Sequence, residues 1–425
     1  MSAFTHDTAS RAQDPDWLAA RRVAALERFD DSGLPTEAEE IWRYSRISEL
    51  DLDRYSPVPD GPGGPDPGIP AEALDAIERV GRRAGLIVTR NGRVVHAELD
   101  PVLGGRGVEV GDVLAAPDGD DLLGSVASSS TDAFTELATA FVEGGALVRV
   151  PAGVAVEEPI VVVHWIDADG GAVFPRTVVV LGADAEATVV ERSASADVAA
   201  FVDPVIELDV ADAARLRYAS VQDLGPRVWQ TAYQASRVGR DAELTSTAVA
   251  LGGDYARLRT DTRLDGRGGS SRLRAVYFGS GSGMHDFRTI QDHAAPQTTS
   301  DLLFKGAVAG TAKGVYTGLI RVRKDAPGTN AFQTNRNLVL SEGAGAESVP
   351  NLEIETNDVR CSHASAVGPI DEDQRYYLES RGIPPEVVER LIVLGFFSEV
   401  LEGLPSASLT TSLRDRLAAR LGGGA

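Results

Sequence analysis

The sequence has 425 residues, enough for one large domain or two to three smaller ones, and 43% of them are hydrophobic. Its net charge of −22 argues against non-specific binding to nucleic acid or to an anionic membrane. One cysteine excludes an internal disulfide framework and a four-cysteine metal site built by this chain alone. No apolar run follows Met1 and no stretch is long enough to span a bilayer, so we expect a cytoplasmic protein.

Residues 1–143 are predicted to form a largely helical N-terminal region. Apolar residues recur at helical spacing and are interrupted by turn residues. Residues 57–70 consist mostly of Pro and Gly and are predicted to be a linker. The other predicted elements are a helix at 17–29 before a turn at Gly33, a helical piece opening at Pro35, a helix at 71–83, a strand at 85–88 and a helix at 128–141.

Residues 144–368 are predicted to form the core, because short Val-rich strands follow one another and are separated by turns of small residues. Small residues in four of these turns can be aligned at a spacing of 28 to 29 residues: Ala185, Ala214, Ala242 and Ser271. Less regular copies follow near Ala312 and Ala346. A weak period of this length favours a β-helix over a sandwich, although periodicity alone leaves the sandwich open.

Two polar segments of the core have more than one interpretation. The basic run at 257–274 alternates Arg with Leu or Thr, which indicates a solvated strand face more than a partner-binding stripe. His285 and His293 flank Asp286 and Asp292, a set that could bind a metal if all four converged on one loop. Structural hydrogen bonding is the favoured interpretation of these four residues.

Residues 369–425 are predicted to form a C-terminal helical domain. A helix follows Asp371, a second follows Pro384 and Pro385, and a third covers 408–421. The second helix is apolar on most of its circumference, so it is either buried or awaits another protein. This pattern predicts a docking surface for a partner. Its candidate residues are Tyr377, Leu391, Phe396, Phe397 and Val400.

Cys361 and His363 are the candidate metal ligands. They lie two residues apart where the strand pattern gives way to helix, so both side chains can project from one face of a strand. Thiolate and imidazole are suitable ligands for iron. By itself this pair is a weak signal, because an isolated cysteine is usually a small buried residue.

Many residues between 292 and 400 occur in an order that resembles the SUF-system iron–sulfur cluster assembly scaffolds, SufB and SufD. The Cys-Ser-His form and the shortage of other cysteines are more similar to SufD, although Ala364 replaces the family's usual glycine. The segment 40–45 also resembles the SufD-type opening. The matching residues are 292–293, Ser300, 305–306, Gly318, 337–338, 350–354, 358–359, 361–363, 376–378 and 380–383.

The resemblance implies a non-enzymatic scaffold whose core is a right-handed parallel β-helix between helical ends. It also implies a complex with a SufB-like scaffold and a SufC-like ATPase, or a homodimer in isolation. A nascent, transient iron–sulfur cluster would form at the partner interface near Cys361 and His363, and the C-terminal helices would dock the ATPase. The rival hypothesis is a carbohydrate-active β-helix enzyme, a polysaccharide lyase or hydrolase, which needs clustered carboxylates or basic residues in a groove.

Overall fold

The computed structural model describes residues 3–10, 14–57, 69–78, 80–127 and 131–422. Most of the predicted linker at 57–70 lies outside these residues. The chain is mainly β and forms a parallel β-solenoid with helices before and after it, which confirms the predicted fold class. The helices of the described residues are α1 (His6–Ala9), α2 (Asp16–Ser32), α3 (Ala71–Glu78), α4 (Pro101–Gly104), α5 (Gly119–Leu122), α6 (Ala133–Phe141), α7 (Glu372–Glu379), α8 (Pro385–Leu401) and α9 (Ala407–Gly422).

The solenoid has two sheets, here called sheet A and sheet B. Sheet A consists, in spatial order, of β4 (Glu109–Asp112), β5 (Ala146–Val150), β8 (Arg176–Leu181), β11 (Val205–Val210), β13 (Val228–Val238), β15 (Tyr255–Leu264), β17 (Met284–His293), β19 (Lys313–Val322) and β21 (Gly345–Ile354). Sheet B consists of β3 (Arg93–Leu99), β2 (Gly85–Arg90), β6 (Ile160–Ile166), β9 (Glu186–Ser195), β12 (Arg215–Asp223), β14 (Glu243–Ala250), β16 (Ser270–Gly279), β18 (Thr299–Val308), β20 (Thr329–Val339) and β22 (Val359–Gly368). Beside sheet A lie β1 (Ser56–Pro57), β7 (Gly171–Val173) and β10 (Ala200–Val202).

From β5 onwards the chain alternates between the two sheets and completes eight turns. Every pairing along this path is parallel, whereas β3 and β4 flank the first turn in antiparallel orientation. Register advances by 26 residues between Trp229 and Tyr255 and by 32 between Lys313 and Gly345. Turn length therefore varies by several residues around the predicted period.

The variable turn length corrects part of the predicted repeat. Ala185, Ala214 and Ala242 do occupy equivalent places before successive strands of sheet B. Ser271, however, pairs with Leu244, two residues beyond the equivalent position, because that turn is shorter. The residues near 312 and 346 precede or lie on strands of sheet A, so they belong to the opposite corner of the solenoid.

The outer faces of both sheets are covered. The N-terminal segment and α6 pack on sheet A, where Trp42, Phe134 and Phe141 are buried. The helices α3, α8 and α9 pack on sheet B. Because each central strand is buried on both faces, it consists of nearly continuous apolar residues, as in β6.

The N-terminal region confirms α2 and its stop at Gly33, which has a φ of 63°. The piece after Pro35 contains short 3-10 turns, Glu40–Trp42, Ile47–Glu49 and Leu52–Arg54, where a helical segment was predicted. β2 and β3 come from before residue 144 but pair into sheet B. The division at 144 and 369 into three domains stays a prediction.

Candidate functional site: the open end of the solenoid

The last turn leaves one end of the solenoid open. β21 pairs with β19 and β22 pairs with β20, and within the described residues neither has a strand on its other side. Most residues of β22 are exposed. The edge of each strand therefore presents unpaired backbone N–H and C=O groups, which are a template for pairing with another chain.

Cys361 and His363 both lie on β22. Cys361 is in register with Ala331 of β20, and His363 is in register with Gln333. Burial alternates along β20, and Ala331 and Gln333 belong to its buried, inward-facing set. Because register neighbours in a sheet project to the same face, Cys361 and His363 continue inward-facing columns at the mouth of the solenoid.

The thiol of Cys361 is half-buried and free. It packs against a small apolar cluster that includes Ile320, Val322 and Ala331. Burial raises the pKa of the Cys361 thiol, and an interaction with the Ala331 backbone opposes this with a smaller effect. The neutral thiol is therefore favoured in the isolated chain, so metal binding would have to displace its proton.

Two donors make an incomplete site. Residues two apart on a strand are separated by about 6.6 Å, a distance that one bound metal group could span. Among the described residues, no three His, Cys, Asp or Glu side chains are grouped closely enough to hold a metal ion. The donor types of Cys361 and His363 suit iron–sulfur chemistry, and any further protein ligands would come from a second chain.

The rim of the mouth is apolar. Leu352 and Ile354 of β21 are 36% and 41% exposed, and Val367 of β22 is 44% exposed. Large exposed apolar residues that cluster at an open sheet edge mark an interaction surface.

The histidine–aspartate segment is structural. All four residues lie on β17, where the odd-numbered histidines and the even-numbered aspartates project to opposite faces. His293 bonds Thr298 and Ser300 inside the solenoid. The four side chains cannot converge on one metal, and structural hydrogen bonding is the correct interpretation.

The basic run does not form one solvated face. It crosses from β15 in sheet A to β16 in sheet B. Arg257 is buried, contacts Trp42 at 3.7 Å from the ring centroid and pairs with Asp286 at 2.6 Å. Arg274 pairs with Asp301. The N-terminal segment therefore covers the first part of the run.

The five docking candidates do not form one surface. Phe397 and Val400 are buried under α8 against sheet B and α9, so they are unavailable to another protein in this conformation. Phe396 is partly buried. Tyr377 and Leu391 are 56% and 46% exposed. A helix with many apolar faces can be covered by its own chain, which the sequence pattern could not distinguish from docking.

Lys305 fixes α8 to sheet B. This buried side chain donates to the Phe396 carbonyl at 2.9 Å and to Glu399 Oε2 at 2.6 Å. The pair 305–306 reads as a strand–turn boundary from sequence alone, yet it lies within β18. Neither this anchor nor Gln333 beneath His363 was identified from the sequence, because both depend on contacts between distant segments.

The fold and the site define a class: a parallel β-solenoid with a cysteine–histidine half-site at its open end. Residues 164–396 match the model of the SUF system FeS cluster assembly, SufBD core domain. That match covers more than half of the chain, and the protein belongs to the SufBD family.

Curated relatives agree with this assignment. The chain is 28% identical over 405 residues to the iron–sulfur cluster assembly protein SufD of Escherichia coli, covering 94% of this chain and 92% of that protein. It is 29% identical over 409 residues to SufD of Bacillus subtilis, covering 92% and 91%. It is 40% identical over 224 residues to a SufBD family protein of Mycobacterium tuberculosis, a match that spans 51% of this chain and about half, 55%, of that relative. No helix of the described residues is long and apolar enough to cross a membrane.

Proposed function

We propose that this chain is a non-catalytic scaffold subunit for iron–sulfur cluster assembly. It pairs with a SufB-like scaffold through its open end and with a SufC-like ATPase through its C-terminal helices. The transient cluster is cargo that forms at the scaffold interface. The observation that carries the proposal is the position of Cys361 and His363 on the terminal strand of the solenoid, where a second chain can complete the ligand set.

The chemistry follows from this position. An edge strand binds a partner strand through backbone hydrogen bonds, which brings the partner's side chains next to those of β22. Cys361 loses a proton when it binds iron, and neutral His363 contributes a ring nitrogen. A site shared between two chains can take up a cluster and release it when the chains move apart.

The test is anaerobic co-purification of the chain with SufB-like and SufC-like partners, followed by iron and sulfide quantitation. Cys361→Ala and His363→Ala should each leave folding nearly unchanged, because both positions are on an exposed edge, and should lower cluster content at least tenfold. Ser362→Ala, on the opposite face of the same strand, is the matched control and should keep the cluster. Wild-type cluster content in both single variants would place the site in the partner.

A further inference from the structure

The side chain of Gln333 lies directly below His363 and lacks hydrogen bonds. Gln333 is 1% exposed, yet neither its Nε2 nor its Oε1 has a hydrogen-bond partner in the described part of the chain. An unpaired buried amide costs about 1–3 kcal/mol, and such groups are normally satisfied. A partner for this amide is therefore expected.

The surroundings of Gln333 restrict where that partner can come from. The residue below it in the same column is Leu302, which has no polar side-chain atom. Across the solenoid it faces Gly318, where an added Cβ would lie 2.6 Å from Nε2. Neither neighbour can bond the amide, so the partner does not come from below or from across.

The polar groups nearby are already occupied. Asn335 Nδ2 donates to the Phe304 carbonyl at 3.3 Å, and Asn335 Oδ1 accepts from Asn337 at 2.7 Å. The Tyr316 hydroxyl is bonded to Thr289 at 3.0 Å. The remaining direction is the open mouth, where His363 is the next residue of the same column.

We propose that Gln333 is a positioning residue for His363. Its amide oxygen accepts a hydrogen bond from one imidazole N–H, so the other ring nitrogen presents its lone pair at the mouth. Register neighbours on adjacent strands are about 4.8 Å apart, so rotation about side-chain bonds brings the two groups together. Histidines that bind metals usually donate their second ring N–H in this way.

The contact itself is independent of any metal, while the role of His363 as an iron ligand rests on the proposed function. Gly318 serves the same arrangement, because any side chain there would occupy the place of the Gln333 amide. The inference therefore separates into a hydrogen bond in the free chain and its consequence for binding.

The hydrogen bond is tested by ¹⁵N NMR of histidine side chains in the metal-free, full-length protein. The chain has six histidines, and His363→Ala identifies the relevant signals. One tautomer of His363 should dominate in the native chain and in Gln333→Glu, which keeps an acceptor. Gln333→Leu should shift the tautomer ratio several-fold. Thr334→Val, on the outer face of β20, is the control and should change nothing.

The consequence is tested with Co(II) as the probe, using the chain with a SufB-like partner. Gln333→Leu should weaken Co(II) binding by roughly 10–100-fold, the usual effect of losing such a contact. Its resistance to urea should stay equal or rise, because an unpaired amide is replaced by an apolar group. A purely structural role predicts the opposite pair of results.

An unchanged His363 tautomer ratio in Gln333→Leu overturns the inference, whatever the metal data show. A shifted ratio in a wild-type complex that binds no Co(II) supports the contact and instead contradicts the proposed role of His363 as a ligand.

Discussion

At the scale of single residues, the interior of the solenoid holds groups whose charge state is set by burial. Burial lowers the pKa of His285 to about 4, a nearby Arg420 charge lowers it further, and the Phe278 backbone opposes the shift. Burial also lowers the pKa of His293 to about 4. Both imidazoles are therefore neutral in the folded protein at neutral pH.

These two histidines predict that stability falls in mild acid. The unfolded chain binds their protons near pH 6.5 but the folded chain only near pH 4, so the free energy of unfolding decreases as the pH falls through that window. Each residue should account for about 2 kcal/mol between pH 7.5 and pH 5. Urea unfolding of His285→Gln at the two pH values should show a pH dependence smaller by this amount.

His96→Gln is the matched control, because His96 is partly exposed on the edge strand β3. It should keep the native pH dependence. If His285→Gln also keeps the native dependence, His285 is protonated in the folded protein and the burial argument fails.

A second residue-scale prediction concerns Gly306. The Tyr277 side chain passes over this glycine and bonds Asn337, two turns along sheet B. A Cβ at Gly306 would lie 2.1 Å from the Tyr277 ring. Gly306→Ala should therefore lower the free energy of unfolding by about 1–3 kcal/mol.

Two further variants test this explanation. Gly395→Ala, in α8 with open space around it, should raise stability by about 1 kcal/mol. Adding Tyr277→Leu to Gly306→Ala should cost less than the two single changes together, since the clash is removed. Additive effects in this double-mutant cycle would show that Tyr277 is not the cause.

At the scale of elements, the C-terminal helices both complete the fold and offer a surface. Removing residues 384–425 would expose the apolar face of sheet B that α8 and α9 cover, so truncation cannot separate docking from folding. Substitution of exposed residues can. Tyr377 on α7 and Leu391 on α8 are the exposed members of the predicted docking set.

Tyr377→Ser combined with Leu391→Ser should weaken ATPase binding at least tenfold in a pull-down or by calorimetry, because exposed aromatic and aliphatic anchors carry much of an interface's energy. The melting temperature should change little. Val102→Ser, which replaces a residue 71% exposed on α4, should bind normally. Normal ATPase binding by the double variant would exclude this surface.

The sequence predicted elements better than their surroundings. Strand patterns and the small-residue turns predicted the solenoid, because parallel strands buried on both faces require apolar runs. The Cys361–His363 spacing predicted one strand face at the site. Turn lengths from 26 to 32 residues, the cover over Arg257 and the burial of Phe397 depend on contacts between distant segments, and periodicity carries no record of these.

At the scale of the whole molecule, the two ends of the solenoid differ. β3 and β4 run antiparallel to the first turn and end the sheets there, while β21 and β22 leave a ladder edge with an apolar rim. Such an edge is a hazard for aggregation unless another chain covers it. The asymmetry gives the molecule one end that is built for assembly.

This asymmetry predicts how the chain associates. Alone, it should form a dimer at high concentration through the open end, and a SufB-like partner should displace the second copy by pairing with the same edge. Ile354→Lys places a charge in the apolar rim and should weaken both associations about thirtyfold or more, the effect of losing an interface anchor. Val102→Lys, away from the open end, should weaken neither. Sedimentation velocity over a concentration series measures both equilibria, and an Ile354→Lys variant that associates as tightly as the native chain would place the interface elsewhere on the molecule.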